Sequence, residues 1–260
     1  MRAAVKGAAP HRGARTRALA LARARLFPDV SSMPLTNSEM AARLQSTLVD
    51  PTTTRDEVTR HVEACGRHGF HAAMIPMCWV PLARSILKGT PVRVATFICI
   101  GMGHETAMAK AMLLRECWAL GADEVDYQPN MSFFLSGMED EFAEEARLLA
   151  RASEGKTLKA MLELGYIADR PSRVRAASLL ADAGVPWIKN SSGVGPKSEP
   201  ATVENITLLR EAVGNRAHVK GSGKIRTRQQ AEELIAAGAE LLGTSAAQQI
   251  IGASDRAGAY

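Results

Sequence analysis

The sequence predicts an α/β protein, a (β/α)8 barrel of the TIM type, and three observations carry that expectation. From about residue 46 onward, short β-branched or apolar runs alternate with longer segments of helical period, the pattern of βα units on a parallel sheet. Eight such runs occur, each followed by a helical segment. The chain has 260 residues, and a barrel of this kind takes about 250.

The first strand is expected over 46–50 (STLVD), and Thr54 with Glu57 then opens a helix over 55–68 as a capping box. The second strand lies at 71–75 with a helix over 80–88. The third lies at 92–100 with a helix over 105–120. Leu120-Gly121-Ala122 ends that helix, because glycine accepts the left-handed turn needed before the next strand. Strand 123–128 precedes helix 138–153, and strand 157–163 precedes helix 170–183, which ends on a second such junction, Ala183-Gly184-Val185. Strand 185–190 leads to helix 202–213. Strand 217–220 leads to helix 227–237, capped by Thr227 and Gln230 and closed by Ala237-Gly238-Ala239. Strand 240–244 is the last, with a short helix after 245. Right-handed crossovers make the closed barrel the simplest solution, with a doubly wound open sheet as the alternative.

Charge divides the chain. Residues 1–32 carry Arg2, Lys6, Arg12, Arg15, Arg17, Arg23 and Arg25 against Asp29, a net of +6, which leaves −1 of the overall +5 for the rest. A near-neutral body offers no basic face to phosphate backbones, so nucleic acid is not an expected partner. Residues 1–36 read as a basic extension, disordered or loosely attached, or as an amphipathic targeting segment, and 37–260 as the barrel. No apolar run approaches the roughly 18 residues of a membrane span. Cys65, Cys78, Cys99 and Cys117 form no CxxC pair and read as buried, reduced thiols. His68, His71 and Cys65 lack a second cluster, so no metal is expected, and GxGxxG, Walker and GxSxG patterns are absent.

Strand C-termini build the site of such a barrel, so ionisable residues there draw attention. They are Asp50, Asp126, Lys159, Glu163, Lys189 and Lys220. A lone Asp before Pro51-Thr52-Thr53-Thr54 is as readily a helix cap, and Glu163 reads as a partner for Lys159. Lysine is harder to explain, being almost never buried unpaired. Lys189 and Lys220 end consecutive strands, which lie about 4.8 Å apart, so two ammonium groups share one pocket. A free lysine is neutral in only about one molecule in 2,500 at pH 7. Burial and a like charge both disfavour its proton, and so make a nucleophile. The alternative is that each lysine pairs structurally with Asp50 or Asp126. Gly193-Val194-Gly195, Gly221-Ser222-Gly223 with Lys224, and Gly243-Thr244-Ser245 follow the last three strands, where such barrels usually cradle phosphate.

The strings LVDPTTTRDEV, WVPLAR, GADEVDYQPN, LKAMLELG, WIKNSSGVGPKSEPATVENITLLRE, VKGSGKIRT and AGAELLGTS, in order from about residue 44 to 250, resemble the deoxyribose-phosphate aldolase family. The resemblance implies a class I aldolase without cofactor or metal. Its reaction is the reversible cleavage of 2-deoxy-D-ribose 5-phosphate to glyceraldehyde 3-phosphate and acetaldehyde through a lysine Schiff base. By position it implies Lys189 as the Schiff-base lysine, Lys220 as the neighbour that lowers its pKa, and Asp126 as an acid/base working through water. Asp50, Lys159 and the terminal Tyr260 match pocket residues. Partners would be small aldehydes and sugar phosphates, a homodimer is the one assembly considered, and the location expected is cytoplasmic.

Three departures bear on the acceptor. Asn190-Ser191-Ser192-Gly193 stands for the family's Thr-Ser-Thr-Gly, Gly223-Lys224 for a paired glycine, and Cys99-Ile100-Gly101-Met102-Gly103 for Gly-Phe-Pro-x-Gly. They leave open an unphosphorylated or larger aldehyde as acceptor. A non-catalytic sugar-phosphate binder would have no use for the lysine pair.

Overall fold

A computed structural model describes residues 35–253, and the basic extension and Tyr260 lie outside the described residues. Helix α1 (Asn37–Ala41) enters the fold, capped by Thr36 and Glu39. The repeat then runs β1 (Leu44–Thr47), α2 (Arg55–His68), β2 (Ala72–Met74), α3 (Val80–Ile86), β3 (Arg93–Ile98), α4 (Ala107–Leu120) and β4 (Glu124–Tyr127). A short α5 (Met131–Leu135) and α6 (Glu139–Ala152) follow, then β5 (Thr157–Met161), α7 (Arg170–Asp182), β6 (Trp187–Lys189), α8 (Val203–Val213), β7 (His218–Ser222), α9 (Arg228–Ala236), β8 (Leu241–Thr244) and α10 (Ala247–Ile250). All neighbouring strands are parallel and β8 pairs with β1, so the sheet closes into the expected barrel.

The local signals act as chemistry requires. Thr54 and Glu57 exchange side-chain and backbone bonds at the start of α2, as do Thr227 and Gln230 at α9. Gly121, Gly184 and Gly238 all take positive φ at the helix-to-strand junctions. All strands but the seventh are shorter than expected, the first also beginning two residues earlier, at Leu44, and in two of them a turn shows why. The third stops at Ile98 because Cys99 turns left-handed at φ 57, and the fifth stops at Met161, shortly before Glu163 turns the same way at φ 50. An unbroken apolar run does not reveal such a turn. Helices α1 and α5 and the single turns at Met77–Trp79 and Leu164–Tyr166 were not expected either, being too short to show a period.

The register fixes which side chains enter the barrel. Residues that pair across parallel strands share a face, which sets Gln45, Ala72, Met74, Arg93, Ala95, Glu124, Asp126, Lys159, Met161, Lys189, Lys220, Ser222 and Gly243 inward. The β1–β3 side is small and apolar, Ala72, Met74 and Ala95 packing with Phe97 and Val49. The long polar side chains of β4 to β7, Glu124, Lys159, Lys189 and Lys220, are buried on the same inward face.

Outside the barrel wall, Lys110 of α4 is fully buried and donates to the Gly103 carbonyl (2.7 Å) and to Glu145 of α6 (2.9 Å). Glu145 also accepts the Asn130 N–H (2.9 Å), so one buried ion pair clamps the loop after β3 to the exit of β4. Gly103 sits at φ +68, and a Cβ there would lie 2.5 Å from the Pro129 carbonyl oxygen. Gly103→Ala is therefore expected to cost about 2–4 kcal/mol through strain and overlap. Thermal unfolding checks it, and a melting temperature within a degree of the parent would refute the clamp.

Candidate active site

The register places Lys189 directly opposite Lys220, as consecutive strand ends should. Both donate to the same carboxylate oxygen, Asp126 Oδ2, at 3.1 Å from Lys189 Nζ and 2.6 Å from Lys220 Nζ. Lys159 reaches the other oxygen of Asp126 at 3.4 Å and Glu124 Oε2 at 2.6 Å. Gln45 closes the circle: its Nε2 donates to Glu124 Oε2 (3.0 Å), and its Oε1 accepts from Lys220 Nζ. Below this ring, Glu124 Oε1 is held by His71 (2.8 Å) and Arg93 (3.1 Å). Three lysines thus face two carboxylates and one amide inside the barrel.

Their environment sets the charges. Burial foremost, with the charges of Lys189 and Lys159, pushes the Lys220 ammonium well below its usual range, against the attraction of Asp126. Burial alone would raise Asp126, but Lys220, Lys189 and Lys159 around it hold the carboxyl far below the usual carboxylate range. Glu124 is likewise depressed, because Lys159 and His71 outweigh its burial. Asp126 is therefore held as a carboxylate that accepts from both amines. Sulfur offers no rival nucleophile among the buried Cys65 and Cys117 or the half-buried Cys99, since burial pushes all three up to about 12. Cys78, expected inside, is exposed.

Lys189 keeps 5% of its surface exposed, while Lys220 keeps 1% and Asp126 none. Lys220 is held between Asp126 and Gln45, so of the two amines Lys189 is the less enclosed.

Other sequence-derived residues divide. Asp50 is not in this pocket. It is exposed, and its carboxylate accepts from the Thr52 N–H (2.8 Å) and hydroxyl (2.6 Å), the local turn that its neighbours allowed. Gln45, five positions earlier on β1, stands inside instead. Glu163 does not pair with Lys159. It accepts from the Ser191 hydroxyl (2.6 Å) and the Ser192 N–H (3.1 Å), pinning the loop after β6. Glu124 takes Lys159, and its position two residues before Asp126 was the sequence signal that put both on one face.

Among the phosphate-loop residues, Gly193, Ser222, Gly223 and Gly243 come together at the mouth. A Cβ on Gly193 would lie 3.6 Å from Ser222 Oγ, and one on Gly243 would lie 3.3 Å from that oxygen and 3.2 Å from Lys220 Cε. Gly221 and Thr244 face the other way. A Cβ on Gly221 would meet Leu242 and Ile206, and Thr244 Oγ1 donates to the Ile225 carbonyl (2.6 Å) while accepting from the Ala246 N–H (2.9 Å). Residues one apart on a strand point to opposite faces, which the glycine-rich composition of these turns concealed. Ser245 lines an outer groove with Ser46, His61 and Gln248. Lys224 is exposed at φ 56, directly after Gly223 at φ +101, so the backbone follows a path that favours glycine at both. The Gly193 N–H is already engaged by Ser198 Oγ (3.0 Å) and Ser191 Oγ (3.2 Å). Among the described residues no His/Cys/Asp/Glu cluster could hold a metal ion, and no helix is long and apolar enough to cross a membrane.

No family model matches the chain. It is 34% identical to a deoxyribose-phosphate aldolase of Dictyoglomus turgidum over 213 residues, which is 82% of this chain and 96% of that relative. A solved structure described as QR15, an aldolase, superimposes with a TM-score of 0.77 at 27% identity, covering 82% of this chain and 95% of the other. The deoxyribose phosphate aldolase of Aeropyrum pernix, described as a tetramer, shares the fold with a TM-score of 0.74 at 24% identity, covering 84% and 92%.

Proposed function

This chain belongs to the deoxyribose-phosphate aldolase family, and from that premise we propose that it cleaves 2-deoxyribose 5-phosphate reversibly through an imine on Lys189. The observation that carries the assignment is the asymmetry of the lysine pair. Lys220 is held between Asp126 and Gln45 and keeps 1% of its surface exposed, whereas Lys189 donates to Asp126 and keeps 5%. The neutral amine of Lys189 adds to the aldehyde carbon, and loss of water gives the imine. The C2–C3 bond then breaks as the C3 hydroxyl gives up its proton, leaving an enamine on Lys189 and releasing glyceraldehyde 3-phosphate. Protonation of the enamine carbon and hydrolysis release acetaldehyde and restore the amine. Asp126, held as a carboxylate, compensates the cationic imine. Lys220, whose ammonium burial disfavours, is the group placed to exchange the proton.

Borohydride reduction in the presence of acetaldehyde tests this, because only an imine is reducible there. The adduct should map to the peptide carrying Lys189, with EDTA without effect. An adduct on Lys220 would reverse the assignment.

A second reading, an unphosphorylated acceptor, has two observations in its favour: the Gly193 N–H is spent within its own loop, and a side chain stands at Lys224. We favour the phosphorylated substrate, because the left-handed backbone at Lys224 leaves its main chain where a glycine would put it and adds an ammonium nearby. Lys224→Gly should change the preference for deoxyribose 5-phosphate over deoxyribose less than about threefold, reduce its salt dependence, and relieve about 1 kcal/mol of backbone strain. A strong gain on the phosphorylated substrate would move the unphosphorylated reading ahead.

A further inference from the structure

Gln128 follows Asp126 by two residues, just past the end of β4. Its N–H still bonds to the Ile98 carbonyl of β3 (3.4 Å), so the alternation of the strand carries on through it. Asp126 faces inward, Tyr127 outward and Gln128 inward again, about 7 Å nearer the barrel mouth. The register that pairs Tyr127 with Ala160 sets Gln128 beside Met161, whose own partner on β6 is Lys189. Gln128 and Lys189 therefore flank β5 at one level of the barrel, their backbones about 10 Å apart.

The Gln128 side chain is fully buried, and its amide is engaged on one side only. Nε2 donates to the Met161 carbonyl (2.9 Å), so a flipped amide would set oxygen against oxygen. Oε1 is left buried without a donor. The stem is held by the loop after β3, since a Cβ on Gly103 would lie 2.7 Å from Gln128 Cγ. That loop is tied in turn by Tyr166, whose hydroxyl donates to the Gly101 carbonyl (3.1 Å). Buried polar atoms are rarely left unpaired, so an acceptor oxygen fixed at the level of the reactive lysine calls for a ligand that donates.

A deoxyribose phosphate held on Lys189 has few donors to offer. Its phosphate is an anion and accepts, its C3 hydroxyl gives up its proton as the C2–C3 bond breaks, and its C4 hydroxyl passes through the reaction unchanged. We propose that Gln128 is a specificity-determining residue of the aldol reaction: its amide oxygen accepts from the C4 hydroxyl, which in the condensation direction is the hydroxyl beside the carbonyl of the incoming aldehyde. A 2-hydroxyaldehyde satisfies that oxygen, whereas an aldehyde with a methyl group there leaves it buried and unpaired.

This rests on Lys189 as the imine-forming lysine, and the borohydride map of the unaltered protein decides that premise independently of any variant at position 128. The test is condensation of acetaldehyde with glycolaldehyde or with propanal, which differ by a hydroxyl in place of a methyl group next to the carbonyl. The parent is expected to favour glycolaldehyde in kcat/KM. Gln128→Met keeps the bulk, removes the amide and should reduce that preference about 10- to 100-fold, the loss falling on glycolaldehyde. A residue that only supported the barrel wall would depress both aldehydes together. Should loss of the Met161 contact keep Gln128→Met from folding, Gln128→Asn retains an amide drawn back by one methylene, and a fall in the same ratio is expected. A parental ratio in the folded variant, or a parent without preference for glycolaldehyde, would overturn the proposal. So would failure of both variants to fold, which would make Gln128 a stability residue only.

Discussion

Lys189→Met leaves a folded barrel with essentially no aldolase activity, a loss of about 10⁴-fold or more in kcat/KM, because no other group can replace a covalent nucleophile. Methionine matches the length of the lysine stem, so the interior is not emptied. The substitution also removes one of three positive charges from a site with two carboxylates, and Asp126 keeps Lys220 and Lys159 as partners. The melting temperature is therefore expected to hold or rise. Steady-state kinetics with 2-deoxyribose 5-phosphate and mass spectrometry after borohydride trapping give the two readouts. Retention of more than a few per cent of activity, or of the trapped adduct, would mean that Lys220 carries the imine.

Lys220→Met is expected to produce the other large effect, with a different signature. In the parent, Asp126 Oδ2 is divided between two lysine donors, and burial, with the charges of Lys189 and Lys159, disfavours the proton on Lys220. Without Lys220, Lys189 has that oxygen to itself, and the buried amine placed to exchange the proton is lost. Activity at pH 7 should drop about 10²- to 10³-fold, and the pH dependence of kcat/KM should change because a titrating group of the site has gone. Stability moves in the opposite sense. Lys220 is a base whose folded-state pKa is depressed below the ordinary 10.5, so its burial cost is fully present below the folded value and vanishes as pH rises past 10.5. Removing it should stabilise the barrel most at neutral and lower pH, with the gain shrinking toward alkaline pH. An activity profile parallel to the parent but lower would show that Lys220 acts through shape rather than charge.

The barrel and its lysine pair were legible in the sequence because both depend on order along the chain. Thr54 with Glu57 and Thr227 with Gln230 started helices where the sequence said they would, and Gly121, Gly184 and Gly238 ended them, since caps are settled within a few residues. Lys189 and Lys220 met because consecutive strands of a parallel barrel are neighbours in space. Asp50 misled for a reason equally local. An Asp at a strand end looks the same in sequence whether it faces the barrel or caps Thr52.

By itself, the sequence determined the eightfold βα repeat, the closed parallel order it implies, and the adjacency of two buried ammonium groups, all consequences of local periodicity and chain order. Only the tertiary structure decided who meets whom across the interior. Gln45 of the first strand closes a ring with Lys220 of the seventh and Glu124 of the fourth, while Gly221 and Thr244 turn outward from the mouth they were expected to line. Such contacts depend on register and strand stagger, and a shift of one residue would exchange every inward side chain for its outward neighbour. That register is fixed by closure of the whole sheet and is written in no single segment.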